Sequence, residues 1–211
     1  MQDDPLFRRI RQHAAKRLVF SDAENDGERL GMLKEFVRLE NEMLKRYHRK
    51  GDSGLRVTRA RSIIMDVIIE NLHQRASDRC KRECRKSTSF SILANGGYGR
   101  GELNPHSDVD LMFLYPVGWS DSKGDQQREI VTREILYPLW DTGFNVGHSS
   151  RTWRDALSEC KRDERTRNAL LDSRRICGSQ RLADKFLRKF RRFLRRDAPA
   201  QRLQELLEKQ H

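Results

Sequence analysis

No apolar run in this chain approaches the length of a membrane span, and no apolar core follows the N-terminus as in a secretory leader. Those absences argue against a spanning or secreted protein, and the chain reads as cytoplasmic. Cysteine is sparse, at four residues: Cys80, Cys84, Cys160 and Cys177. With nothing secretory beside them, free thiols are expected. Cys80 and Cys84 stand four apart on an expected helix and could share a metal, but no second ligand pair completes a zinc site. Only five prolines punctuate 211 residues, and neither an internal repeat nor a low-complexity linker divides them. That suits one domain with a helical annex. Acids are the minority charge, 31 against 43 bases, for a net charge of +12. The basic excess favours polyanionic partners, whether nucleotides, nucleic acid or an acidic protein, without choosing among them.

What is present is concentrated between Asn95 and Tyr115, NGGYGRGELNPHSDVDLMFLY. Four glycines come first: Gly96, Gly97, Gly99 and Gly101. The turn Asn104-Pro105-His106-Ser107 follows, and Asp108-Val109-Asp110 opens the apolar run Leu111 to Tyr115. An apolar run of this length reads as a strand buried on both faces. Side chains alternate along a strand, so Asp108 and Asp110 share one face. Adjacent carboxylates raise each other's pKa, and a divalent cation removes that cost. Mg²⁺ takes one or two carboxylates plus substrate phosphates, so the pair reads as a Mg²⁺ site.

The glycines supply the complementary half. Backbone without Cβ can approach a ligand closely, and successive N–H groups at a helix start form an anion nest. Ser89 to Ala94 reads as a strand ahead of them. The layout is strand, glycine-rich turn, short helical turn, strand with two acids, which can hold a metal–triphosphate. It is neither the dinucleotide fingerprint nor a Walker A loop, because no Gly-x-Gly-x-x-Gly opens a full helix and no Gly-Lys-Ser/Thr follows.

Around this centre, apolar spacing predicts helices at about 29–48 and 56–80, the second burying Val57, Ala60, Ile63, Ile64, Val67, Ile68 and Leu72. Its basic end, with Arg79, Lys81, Arg82, Arg85 and Lys86, reads as a solvated helix terminus. A helix is expected at about 126–140, a third strand at Phe144 to Ser149, helices at about 152–160 and 163–170, and a fourth strand from Asp172 to Cys177. The last long helix starts near Ser179. Its stripe Leu182, Phe186, Phe190 and Phe193 is read as core, and Pro199 is expected to interrupt it.

GGYGRGEL followed by SDVDL resembles the nucleotidyltransferase domain of the bacterial protein-PII uridylyltransferase family, in the polymerase-β-like superfamily. Two further blocks agree: Leu139-Trp140-Asp141 with Gly143 to Ser149 and Arg151-Thr152, and Ala169 to Gly178. The resemblance covers roughly residues 55 to 195. It implies an α/β fold, a small mixed sheet with flanking N- and C-terminal helices. The corresponding division is a helical region at 1–85, a nucleotidyltransferase core at 86–178 and a helical segment at 179–211. The implied reaction moves UMP from UTP onto a tyrosine of a PII signal protein and releases pyrophosphate. Two Mg²⁺ ions about 3.5–4 Å apart could clamp the attacking and leaving oxygens.

On this reading Asp108 and Asp110 hold metal, Gly96 and Gly97 hold the β- and γ-phosphates, Arg100 is a phosphate fork, and Ser107 binds a phosphate oxygen or caps the turn. Tyr98 packs, and Glu102 pairs with Arg100. The superfamily usually adds a third carboxylate on a neighbouring strand. Asn145 stands where family members often show Glu, and Asn95 where an apolar residue usually precedes the glycines. Asp172 is the preferred third acid, with Asp141 and His148 as alternatives. The family's uridylyl-removing and glutamine-sensing parts are expected to be absent, since there is no His-Asp dipeptide and the chain stops soon after the transferase region; it reads as an excised domain or a shortened homologue. Two other functions stay open: transfer to RNA docked on the basic helices, and a nucleotide-binding regulatory module without turnover.

Overall fold

The acid-bearing strand is the second of a four-stranded mixed sheet in the computed structural model. The structure describes residues 4–20, 25–84, 90–118 and 122–208, with backbone alone for 122–124 and 197–208. Strand β2 (Val109–Tyr115) pairs antiparallel with β1 (Ser91–Ala94) and parallel with β3 (Val146–Thr152). Strand β4 (Arg174–Gly178) runs antiparallel to β1, giving the order β3-β2-β1-β4. The fold class expected from the sequence is the one observed.

Both faces of β2 are covered, as its apolar run requires. Val109, Leu111, Phe113 and Tyr115 share one core with the helices α1 (Pro5–Arg17), α2 (Asp26–Arg49) and α3 (Gly54–Cys84). The α3 face matches the expected one: Ala60, Ile64, Val67, Ile68 and Leu72 are buried, with Val57 and Ile63 packed beside them. Met112 and Leu114 point the other way. They meet Ala156, Cys160, Leu170, Phe186 and Phe190 from α7 (Trp153–Arg162), α8 (Glu164–Leu171) and α9 (Gln180–Glu208). Burying each such large side chain contributes about 1.5–3 kcal/mol. That gain fixes the α9 stripe on the sheet. Local signals set the helix starts: Asn25 and Glu28 form a capping box on α2, Thr152 and Asp155 form one on α7, and Asp163 caps α8.

The helix expected at 126–140 is divided. After α5 (Ser122–Val131) comes a π-helical turn, Thr132–Leu136, and then α6 (Tyr137–Asp141). Pro138 has no N–H to give the ladder, and the Tyr137 N–H reaches five residues back to the Thr132 carbonyl. The widened turn carries Glu134 inward, where Arg75 and Arg79 of α3 both donate to its carboxylate. Strand β3 starts two residues later than expected, because the Gly143 and Phe144 N–H groups are still bonded to the Trp140 and Leu139 carbonyls. Strand β4 also starts later, since Asp172 caps the C-terminus of α8. Pro199 does not interrupt α9, which continues to Glu208; it gives up one ladder bond without ending the helix.

All four cysteines are free and buried. Burial pushes the Cys80 thiol up to about 12 and Cys160 up to about 11. At the basic end of α3, Arg79 also donates to Glu83 and Lys81 to Asp78, while Arg85 and Lys86 lie outside the described residues. Among the described residues, no helix is long and apolar enough to cross a membrane.

Candidate functional site

Where β1 ends and β2 begins, the covering helices leave a cleft of about 780 Å³. Helix α4 (Gly96–Gly99), the loop after it and the head of β2 line one side, with Gly97, Arg100, Glu102, Ser107, Asp108 and Asp110. Leu55 and Thr58, from the first turns of α3, line the other.

The two aspartates face this cleft together. Asp110 is in register with Gly147 on β3, and a Cβ at position 147 would stand 2.8 Å from its Oδ1. Gly147 is therefore the wall that lets this carboxylate sit against the strand. Gly96 has φ +55, and a Cβ there would be 3.7 Å from the Asp110 Oδ2. The Val109 N–H donates to the Asn145 carbonyl at 2.8 Å, which sets Asn145 alongside Asp108. Desolvation by these walls, with the Asp108 charge second, raises the Asp110 carboxyl above its ordinary range. Neither aspartate forms an ion pair or side-chain hydrogen bond with another described residue. Two hard oxygen donors with mutual repulsion and no cation beside them fit Mg²⁺. Among the described residues no cluster of three metal-ligating side chains forms, so further ligands would come from water or substrate phosphates.

A buried polar network holds the glycine turn in place. The Tyr98 hydroxyl donates to Asp66 Oδ1 at 2.7 Å, and Arg174 donates to both Asp66 oxygens at 3.0 and 2.9 Å. The Arg174 guanidinium also lies over the Tyr98 ring, 5.2 Å from its centroid. Burial pushes the Tyr98 hydroxyl well above its usual range, so it stays a donor. Three elements, α3, α4 and β4, are joined through this one carboxylate. Asn95, polar where an apolar residue was expected, accepts from the Ser173 hydroxyl at 2.7 Å, and its own N–H donates to the Asp110 carbonyl at 3.0 Å. Gly99 is required by contact: a Cβ there would come within 2.2 Å of the Asp172 carbonyl oxygen.

Of the residues singled out in the sequence, the cleft gathers Gly97, Arg100, Ser107, Asp108 and Asp110, with Gly96 against Asp110. It does not gather Asp172. That residue precedes β4, which β1 separates from β2, and its carboxylate bonds Arg100 Nη1 at 2.5 Å. Arg100 Nε also lies 3.5 Å from Glu102, the pairing expected. The other two alternatives fall elsewhere. The His148 ring packs against Phe113 and Trp140, and Phe113 belongs to the core on the opposite sheet face from Met112. Asp141 lines a separate cavity of about 600 Å³ with Arg29, Arg75 and Arg133. Sequence reasoning gave no role to Leu55, Thr58 and Asp66, which no local pattern marks, or to Arg174, which lies in the Ala169–Gly178 block. Gly147 lies in the Gly143–Ser149 block, but its role as the wall beside Asp110 is set by strand pairing and was not assigned from the sequence.

A mixed sheet with paired aspartates heading its central strand beside a glycine turn is the site of a nucleotidyltransferase-type fold. The family model described as glutamate-ammonia ligase adenylyltransferase matches residues 34–139, from α2 through the glycine turn and both aspartates to α6, and the chain belongs to this nucleotidyltransferase family. It is also similar to curated proteins named bifunctional uridylyltransferase/uridylyl-removing enzyme. The one from Caulobacter vibrioides is 34% identical over 180 residues, 84% of this chain and 19% of the relative. That from Novosphingobium aromaticivorans is 35% identical over 145 residues, 68% of this chain and 15% of the relative. That from Azospirillum brasilense is 44% identical over 103 residues, 49% of this chain and 10% of the relative. The aligned part spans no more than 19% of the length of these relatives.

Proposed function

We propose that this chain transfers UMP from UTP to a tyrosine hydroxyl of a PII-type signal protein in the cytoplasm, with Mg²⁺ at Asp108 and Asp110 and release of pyrophosphate. The observation that carries the reading is the unpartnered aspartate pair set against the glycine turn. Bound there, Mg²⁺ supplies positive charge against the triphosphate and the leaving pyrophosphate. The remaining work is positioning, which is most of what phosphoryl-type transfer needs. The first N–H groups of α4 have no partner within the helix and would be free to meet the phosphates. Arg100 reaches from the cleft wall as a charged donor, and Ser107 offers a hydroxyl. The third acid lining the cleft, Glu102, pairs with Arg100, and Asn145 beside Asp108 has no carboxylate with which to take the acceptor's proton. A phenol, with a pKa near 10, releases that proton more readily than an aliphatic hydroxyl, which supports tyrosine as the acceptor.

The names of the relatives support UTP, whereas the description of the family model makes ATP the competing nucleotide. Pyrophosphate release measured with Mg²⁺ and each of UTP, ATP, CTP and GTP, with and without a PII protein, decides between them. UTP-selective release that depends on the PII protein is expected. ATP-selective release would transfer the assignment to adenylylation, and no release with any nucleotide would leave a nucleotide-binding regulatory module.

Two variants test the geometry. Gly147→Ala is expected to fold normally, because the colliding atom is the free end of the Asp110 side chain. It should lower kcat by about tenfold or more by turning that carboxylate from its position. Wild-type kcat in this variant would mean that the orientation of Asp110 does not matter. Arg100→Ala is expected to raise KM for the triphosphate by about tenfold, the scale of one charge-assisted hydrogen bond. Asp172→Asn should shift that same KM modestly and spare kcat, because Asp172 orients Arg100. A collapse of kcat in Asp172→Asn would restore it as a catalytic acid.

A further inference from the structure

On the sheet face opposite α1–α3, helices α7 and α9 enclose a groove of about 530 Å³ that is separate from the aspartate cleft. Its floor is apolar and aromatic, made by Trp153, Leu157 and Phe193. Its walls are cationic: Arg154 and Lys161 on α7 face Lys189, Arg192 and Arg196 on α9, and among the described residues no carboxylate lines it. Lys189 Nζ stands 4.5 Å and Lys185 Nζ 5.6 Å from the Trp153 ring centroid, with the Arg154 guanidinium at 5.4 Å. Along α9, Lys185, Lys189, Arg192 and Arg196 follow helical spacing and form one continuous rail.

Several arginines elsewhere meet acids: Arg38 pairs with Glu35 and Glu42, Arg56 with Asp4 and Asp52. Among the described residues none of the five groove cations, nor Lys185 beside them, forms an ion pair. Like charges gathered without counter-charge repel one another, and a bound polyanion relieves that repulsion.

The shape and the floor choose among polyanions. A membrane would need the apolar stripe of α9, but Leu182, Phe186 and Phe190 are buried against the sheet. An acidic protein segment would use the rails alone, because its carboxylates have no flat apolar group to lay on the aromatic floor. A single-stranded nucleic acid uses both parts, phosphates along the rails and bases against the rings. We propose that the α7–α9 groove binds single-stranded nucleic acid, with Trp153 and Phe193 as its stacking floor. The proposal does not depend on the transfer reaction above.

The test is fluorescence anisotropy of a fluorescein-labelled single-stranded oligoadenylate titrated with the full chain across a salt series. Affinity is expected to fall with salt at a slope of about −0.7 for each phosphate neutralised. The double variant Lys161→Glu with Arg192→Glu changes only exposed side chains and should weaken binding by about tenfold or more while flattening the slope. Trp153→Ala should weaken it by about tenfold, the scale of one stacked base, and Trp153→Phe should restore most of the loss. Asp110→Asn should bind as wild type, which separates the groove from the cleft. The proposal is overturned by an absence of salt-dependent binding, or by binding that neither the double variant nor Trp153→Ala changes. It is likewise overturned if polyglutamate displaces the probe better than unlabelled oligoadenylate, or if anionic vesicles take the protein in preference to it.

Discussion

Asp110→Asn is expected to abolish nucleotidyl transfer and to give a protein that melts no lower than wild type in the absence of Mg²⁺. The amide keeps the shape of the carboxyl, so the wall formed by Gly147 and Gly96 is undisturbed. On the proposed reading a charged metal ligand is lost, and activity should fall by more than about a hundredfold, since even outer partners of a metal reach that scale. The stability half follows from the raised pKa of Asp110. The folded state keeps this proton over a pH range in which the unfolded chain has released it. Stability from this group is therefore greatest below the ordinary carboxylate value and declines as pH rises through the folded pKa. At neutral pH the penalty is fully present, and Asn removes it. Mg²⁺ should raise the melting temperature of wild type, by binding the folded form alone, and have little effect on the variant. A variant that retains activity would take Asp110 out of the site. One that melts clearly lower without Mg²⁺ would show that the carboxylate is stabilised, not strained, in its position.

Asp66→Ala is expected to have the largest effect on stability, about 3 kcal/mol. That is the low end for breaking a buried pair, because Asp66 is 5% exposed whereas Arg174 is only half-buried. Removing the carboxylate strips the Tyr98 hydroxyl and both Arg174 donors of their shared acceptor at once. The glycine turn loses its attachment to α3 and β4, so triphosphate affinity should fall together with stability. Urea unfolding measures the first effect and nucleotide titration the second. Arg174→Met combined with Asp66→Leu should recover part of the stability, since apolar replacement of both partners removes the uncompensated charge. A loss below about 1 kcal/mol in Asp66→Ala would place this network among pairs that solvent already screens.

The part of the site legible in the sequence is the part written in consecutive residues. Strand periodicity alone put Asp108 and Asp110 on one face, and the glycine run beside them announced a close turn. Burial on both faces of β2 followed from its unbroken apolar run. Other features depend on pairings between distant segments. Asp172 is adjacent in sequence to β4, yet its carboxylate is claimed by Arg100, and nothing local to position 172 signals that partner. Asp66 looks like one polar residue on an apolar helix face until Arg174, 108 positions later, is brought beside it. The start of β3 was misplaced because Gly143 and Phe144 complete the end of α6, a backbone bonding choice that leaves no trace in side-chain pattern. Pro138 carried its information openly, but as a missing N–H whose consequence was a widened turn instead of a break.

The order β3-β2-β1-β4 also divides the cleft between two regimes of protection. Asp110 stands on β2, an interior strand with pairing on both sides and apolar cover on both faces. Such a strand exchanges its amides only when the whole domain opens. Gly147 stands on β3, an edge strand paired only along β2, with most of its residues at least partly exposed. Edge strands of this kind open locally at a small fraction of the global free energy. The carboxylate is thus expected on slowly exchanging backbone, and the wall that shapes its environment on a faster-exchanging edge strand. A ligand that engages Asp110 would be felt first as slowed hydrogen exchange in β3, with little change in the strand that carries the charge.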